Sequence, residues 1–466
     1  MINNKPYIGL VDADLLNGGT RHPNLALLKI AGFLSDNNIS FRLILDNEED
    51  IEKYTFIYIS KVFSFTPNPL FFEKSIGTER ENKFKLGGTG KYAILPNIQD
   101  FKEARNIDMQ QLEHDSFLNR YPNKRGGQKT MGIDMRRQMP YYDLYKEYID
   151  IKTKAGKRLS YFNDYLYYSI GFLTRGCIRH CPFCVNKLES SIQKYSELDW
   201  FLDNQKDEGG KLIRPYIYLW DDNFLASPKE VWKPALQSLI DTGRPFQFRQ
   251  GLDERILAEN VDGEEMAMML SKCNYHGDFI FAFDNWKDRD KIIKALKIWK
   301  KYNQKKSTKF YLFCGYRQTK DNKQAFYNDV YELFQRIKIL MEYGCVGYVM
   351  RHEDYHNSPL GNFYVQVARW CNQPQFYKKM SFWEFTYRNQ SYWEENMLKK
   401  GVYSKLITYQ EYEQLNNDGY YTNLRKCKNL QTLDAILDMF PEKKRDLLEM
   451  FNYKMSELVN PNLWNE

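Results

Sequence analysis

Six short apolar runs, Tyr168–Leu173, Ile213–Trp220, Phe246–Leu252, Phe279–Phe283, Phe310–Phe313 and Val346–Met350, constrain this chain more than any other feature. Between them lie segments with helical spacing of apolar residues, such as Lys229–Asp241, Glu264–Lys272, Ile292–Tyr302 and Val330–Tyr343. Strand-like runs that alternate with helices pair as parallel strands, because each crossover returns the chain to the same edge. The pattern predicts an α/β fold over 166–356, a partial (βα)6 TIM-like barrel, with its chemistry at the carboxyl ends of the strands.

At 466 residues the chain has room for more than this one domain. Ahead of the barrel, Pro6–Asp12 reads as a strand and Pro23–Asp36 as a helix carrying Leu25, Leu27, Leu28, Ile30, Ala31 and Leu34. Further strands are expected at Phe41–Leu45 and Thr55–Phe65, so 1–105 reads as a small, open, Rossmann-like α/β domain. The run Gly87-Gly88-Thr89-Gly90 reads as a tight turn, or as a close approach to a ligand. Residues 106–165 are polar and poorly periodic and read as a bridge. Between Arg120 and Ser160 there are eleven Lys/Arg against four Asp/Glu, an excess of seven that equals the +7 of the whole chain. Such a stretch is a solvated linker or a patch for phosphates. The region 357–466 is helical and aromatic-rich, with a capping box expected at Thr408–Glu411 and two helices around Pro441.

A composition of 43% hydrophobic and 27% charged residues is that of a globular protein. No stretch approaches a membrane span, and the amino terminus meets Asp12 too early to supply a signal-peptide core. The expectation is therefore a cytoplasmic protein with no membrane partner.

Eight cysteines are too few for a disulfide scaffold, yet three fall within Cys177-Ile178-Arg179-His180-Cys181-Pro182-Phe183-Cys184, directly after the first barrel strand. The other five, Cys273, Cys314, Cys345, Cys371 and Cys427, are scattered and read as small buried hydrophobes. Thiolates hold iron–sulfur clusters, and a [4Fe–4S] cube normally takes four. Three leave one iron open to a substrate or cofactor. The competing reading is zinc completed by His180 or a distant cysteine, but zinc sites usually pair two separated hooks, and no second hook is present.

Cys-x3-Cys-x-aromatic-Cys after the first strand of six βα units resembles the radical S-adenosylmethionine (SAM) superfamily, with Phe183 at the aromatic position. The resemblance implies a [4Fe–4S] cluster on Cys177, Cys181 and Cys184 whose open iron is chelated by SAM. It also implies an external electron donor of flavodoxin or ferredoxin type, and reductive cleavage of SAM to a 5′-deoxyadenosyl radical that abstracts hydrogen from an unidentified substrate. Asp221-Asp222-Asn223-Phe224, ending the second strand, resembles the Asp-Asp-x-Phe segment of some subfamilies, which is expected to contact the SAM amino group; a helix cap by Asp222 or Asn223 is the alternative. Gln250-Gly251-Leu252-Asp253-Glu254-Arg255 resembles the Gln-Gly-Leu-Asp-x-Arg segment of the same relatives. That makes Gln250, Asp253 and Arg255 further cofactor-binding candidates, with an exposed salt bridge the other reading of Arg255. By strand position alone, the polar residues of Phe281–Asp284, Phe313–Tyr316 and Tyr348–Arg351 are expected to face the pocket.

The first domain resembles the cobalamin-binding domain of B12-dependent radical SAM proteins. The likeness rests on His22–Ala31 for a Pro-x-x-Leu-x-x-Leu-Ala helix, on Gly87-Gly88-Thr89 for a glycine turn, and on Pro140–Tyr145 for the joining segment. No Asp-x-His-x-x-Gly is present, so the resemblance implies either cobalamin with no histidine on cobalt or a fold kept without the cofactor. Methyl transfer is one outcome if cobalamin binds.

Two alternatives stay open on the sequence. One is modification of tRNA or DNA, motivated by the basic bridge and by exposed-looking aromatics in Phe382-Trp383-Glu384-Phe385-Thr386-Tyr387, although in so aromatic a chain most of these rings are expected to be core. The other is a non-catalytic iron–sulfur or zinc protein that binds a partner.

Overall fold

In the computed structural model the described residues are 6–20, 22–92, 112, 114–125, 127, 130–188, 191–398, 406–422 and 426–464. The chain divides into two compact units, Met1–Gln250 and Gly251–Glu466. Both are built on parallel sheets flanked by helices.

The first unit opens with β1 (Tyr7–Asp12), β2 (Ser40–Leu43), β3 (Phe56–Ser60) and β4 (Phe84–Gly87), all parallel in the order β2-β1-β3-β4. Every residue of β1 after Tyr7 is buried, because both faces of this central strand are covered. One face packs on the helix Leu25–Asp36, which starts where Asn24 Oδ1 accepts the Leu27 N–H at 3.3 Å. The other face meets Ile44, Tyr54, Phe71 and Phe84. At the end of β4, Gly88 has φ +103°, and a Cβ there would sit 2.2 Å from the Lys61 carbonyl oxygen; the close approach is to the chain's own backbone.

The segment read as a basic bridge lies partly outside the described residues, and its described part is not a free linker. Phe117, Leu118, Ile133, Leu144, Tyr145, Tyr148, Ile149, Phe162 and Tyr165 share one core with Ile8, Leu10 and the helix Leu25–Asp36. Several of its cations are used internally: Arg125 makes two 2.8 Å bonds to Asp36, and Arg137 lies 4.6 Å over the Trp200 ring. The join is sealed by a buried network at the carboxyl end of β1. Tyr145 Oη donates to Asp12 Oδ2 at 2.8 Å and accepts the Asn24 N–H at 2.9 Å, while Asn24 Nδ2 donates to Ser60 Oγ at 2.8 Å. Burial pushes the Asp12 carboxyl up to about 6, against the opposing Tyr145 bond. Tyr145→Phe leaves a buried acceptor and a buried donor unpaired, so it is expected to lower the stability of the full chain by about 1–2 kcal/mol in urea denaturation, with an unchanged m-value.

The unit continues with β5 (Tyr168–Gly171), β6 (Thr174–Arg175), β7 (Gln193–Lys194), β8 (Tyr216–Leu219) and β9 (Phe246–Phe248). Strands β5, β8 and β9 form a parallel sheet in that order, and β6 pairs antiparallel with β7. In the second unit β10 (Phe279–Ala282), β11 (Thr308–Cys314) and β12 (Val346–Arg351) form another three-stranded parallel sheet. The six expected strands thus form at their expected places as two parallel sheets, with helices such as Lys229–Asp241, Arg289–Tyr302 and Lys323–Glu342 in the intervals. The last of these carries Arg336, 2% exposed, which donates to the carbonyls of Phe283, Asp284 and Phe313 at 2.7–3.1 Å and so ties the helix to the ends of β10 and β11.

Beyond β12 the unit is helical, with the Thr408–Glu411 capping box formed and helices Lys428–Met439 and Lys444–Phe451 on either side of Pro441. The aromatics at 382–387 are core, as expected of most of these rings, and not the exposed stacking face that would favour nucleic acid. Phe382, Trp383, Phe385 and Tyr387 are all buried, and Phe382 packs against Phe334, Phe363, Trp370 and Phe451 with ring centroids 5.4–5.7 Å apart. The cause is amphipathic burial of a helix in an aromatic-rich core, which sequence order alone does not distinguish from an exposed stacking face. No helix among the described residues is long and apolar enough to cross a membrane.

Candidate functional site

After β5 the chain runs into β6, and the pairing of Thr174–Arg175 with Gln193–Lys194 gathers the intervening residues into one loop that carries Cys177, Cys181 and Cys184. The loop begins at Gly176, whose φ is +103° and where a Cβ would lie 2.2 Å from the Ser191 carbonyl oxygen; only glycine fits this crossing.

The acid pair that ends β8 fastens the loop's entry. Asp221 is fully buried, and its carboxylate accepts the Leu173 N–H at 3.1 Å, the Thr174 N–H at 2.6 Å and the Thr174 hydroxyl at 2.7 Å. Asp222 accepts the Gly176 N–H at 2.9 Å and Asn186 Nδ2 at 2.9 Å, with the Arg175 guanidinium 3.3 Å away. Neither Asp222 nor Asn223 acts as a side-chain cap for the short turn that follows, Phe224–Ala226. Instead Asn223 Nδ2 points to Cys177 Sγ at 3.4 Å. Two backbone donors also face sulfur: the Arg179 N–H lies 3.3 Å from Cys177 Sγ and the Asn186 N–H 3.4 Å from Cys184 Sγ.

These three cysteines are half-buried, unlike Cys273, Cys314, Cys345 and Cys371, which are buried. Burial pushes the Cys273 thiol up to about 12 and the Cys345 thiol up to about 11, and holds Cys314 and Cys371 well above their ordinary range. Such thiols stay protonated and inert. N–H groups aimed at sulfur are the kind of donor that tunes the potential of a cluster held on thiolates. The donor set of the loop therefore suits an iron–sulfur cluster. Among the described residues no three His, Cys, Asp or Glu side chains stand close enough to share a single metal ion. A cube has a different requirement, since each thiolate ligates its own iron. Cys427, expected to be buried, is half-exposed.

The remaining predicted residues fall in two places. Phe183 is half-buried on the cysteine loop, and Gln250 is exposed just after β9. Asp253 and Arg255 belong to the second unit, where Arg255 is no exposed salt bridge: its Nε donates to Asp253 at 2.7 Å and its Nη1 to Asp288 at 2.9 Å, with the side chain 18% exposed. Between them Glu254 is buried and accepts the Ala282 N–H at 3.0 Å; burial first, and Asp253 next, hold its carboxyl well above the usual range. Asp284, after β10, accepts the Phe313 N–H at 3.2 Å and is pushed up to about 6 by burial. Arg351, at the end of β12, lies 4.7 Å over the Tyr355 ring.

Thr174, Asn186 and Asn223 were missed as site residues. The available signal was positional, an amide two residues past the last cysteine and another directly after the acid pair. Comparison of the sequence with protein-family models and with curated proteins gives no match.

Proposed function

We propose that the chain is a radical SAM enzyme that binds a [4Fe–4S] cluster on Cys177, Cys181 and Cys184. The observation that carries this reading is the cysteine loop: three half-buried thiols after a parallel strand, with N–H donors directed at sulfur, in a protein whose four buried cysteines are held protonated. In this reading β5 and β8–β12 form the partial (βα)6 barrel. When bound, the cluster and SAM supply a reducing electron and a carbon-centred radical for hydrogen abstraction. The chain's own residues do the positioning. Asp221 fixes the loop entry through Leu173 and Thr174, Asp222 holds Gly176 and Asn186, and Asn223 with two backbone N–H groups moderates the negative charge on sulfur. Phe183, Asp222, Gln250, Asp253 and Arg255 are the side chains assigned to SAM; Asp221, also expected there, is fully buried and taken up by Leu173 and Thr174. If the first domain takes cobalamin and has not kept the fold without it, the place for it is the carboxyl edge of β1 and β3, where Val62, Phe63 and Phe65 offer an exposed apolar face at the point where strand order reverses. The burial of the aromatic run 382–387 takes away one of the two features that motivated nucleic acid as substrate, while Lys152, Lys154, Lys157 and Arg158 of the basic segment remain exposed.

The test is anaerobic reconstitution with iron and sulfide, with and without cobalamin, followed by reduction in the presence of SAM. Formation of 5′-deoxyadenosine is expected, and S-adenosylhomocysteine with bound cobalamin would add methyl transfer. A protein that takes up no cluster, or one whose complete cluster neither binds nor cleaves SAM, overturns the proposal.

A further inference from the structure

At the amino ends of β11 and β12, the opposite end of these strands from Cys314 and Arg351, the second unit holds a cavity of about 340 Å³. Four lysines line it, Lys300, Lys305, Lys306 and Lys378, and no acidic side chain does. Lys305 and Lys378 are exposed at the mouth, and Lys306 is half-buried with its Nζ donating to the Tyr275 carbonyl at 2.7 Å. The acid that faces this group, Asp278, is taken by Lys309 at 2.8 Å.

Lys300 is the informative member. It projects from the helix Arg289–Tyr302, is 3% exposed, and among the described residues its ammonium has no hydrogen bond and no carboxylate. What it has is the face of Trp464, with Nζ 4.8 Å from the ring centroid. An ammonium carries three N–H donors, and a ring face satisfies none of them as a hydrogen bond would. An oxyanion seated in the cavity would meet Lys300 in its wall and the three lysines nearer solvent.

We propose that this cavity is a binding site for the phosphate groups of a small ligand, separate from the cysteine loop and independent of the reading of that loop. Lysine recognises phosphate as a point charge, and four such charges around a recess at the small end of ligand-pocket size suit a compact di- or triphosphate. A nucleic-acid strand would need a track of cations with stacking rings along a groove, which the cavity does not provide.

The experiment is calorimetric titration of the full chain with inorganic pyrophosphate. Saturable 1:1 binding is expected, weakening as salt is raised. Lys300→Met should weaken it by about tenfold or more, which corresponds to about 1.4 kcal/mol. Because a buried substitution can disturb folding, the exposed pair Lys305→Glu and Lys378→Glu is made together and should weaken binding severalfold, while the exposed Lys294→Met on the same helix leaves it unchanged. Equal affinity for pyrophosphate and adenosine diphosphate would assign the site to the phosphates alone, and tighter diphosphate-nucleoside binding would assign it to a nucleotide. No saturable binding at millimolar pyrophosphate, wild-type affinity in the double variant, or a single-stranded RNA that binds and is not displaced by pyrophosphate overturns the proposal.

Discussion

Alanine at Cys177, Cys181 or Cys184, one at a time, is expected to abolish both the bound iron and sulfide and the formation of 5′-deoxyadenosine from SAM. If the three thiolates hold a cube as proposed, losing any one leaves it with two exposed irons and no spare cysteine nearby in sequence. Cys273→Ala serves as the control. Its thiol is buried, donates to the Met269 carbonyl at 3.4 Å and is pushed up to about 12, so its loss should leave cluster content and SAM cleavage intact and cost only the packing of a small side chain. Iron and sulfide analysis alongside product detection separates the two cases. A variant of Cys181 that kept a full cluster and full cleavage would remove that residue from the ligand set.

The second large effect is expected at Asp221. Asp221→Ala strands the Leu173 N–H, the Thr174 N–H and the Thr174 hydroxyl in a dry site, at about 1–3 kcal/mol for each donor that finds no substitute. Release of the buried charge offsets part of this, so a net loss of about 3 kcal/mol is expected in urea denaturation, with poorer cluster uptake because the loop entry is no longer fixed. A pH signature distinguishes this acid from a merely space-filling one. Burial pushes the Asp221 carboxyl from its ordinary 3.8 up to about 7, against the three donors that favour its charged form. A folded value above the unfolded one means that the group's contribution to stability is complete below about pH 4 and is lost as pH rises through about 7. The stability of the cluster-free wild type minus that of Asp221→Asn should therefore fall by about 2–3 kcal/mol between pH 5 and pH 8. A difference independent of pH would show that Asp221 keeps an ordinary acidity in the folded chain. Asp12 and Asp284, each pushed up to about 6 by burial, add slopes of the same sign that cancel in the subtraction.

What was legible in advance was local. The six apolar runs gave strands because a strand packed into a core needs apolar residues along it, though the bounds moved: Ile213–Trp220 becomes Tyr216–Leu219, Phe246–Leu252 ends at Phe248, and Phe310–Phe313 extends to Thr308–Cys314. The capping box at Thr408 needs only residues three apart, and it formed. The basic stretch misled as a linker because charge content does not reveal what the apolar residues between the charges will pack against.

The sequence by itself determined the longer apolar strands, though not the short β4, β6 and β7, and also which cysteines share a loop and that an acid pair follows β8, because each is written in neighbouring residues. Only the tertiary structure decided that Asp221 fastens Thr174 across 47 positions, that Asn223 turns to Cys177 across 46, and that Tyr145 closes on Asp12 across 133. It also decided that the lysines before β11 and after β12 line one cavity, with the Lys300 side chain 3% exposed in its wall. The physical reason is that burial and hydrogen-bond partnership are properties of the folded surround, so the same aspartate or lysine is a solvated charge in one place and a costly, position-fixing group in another.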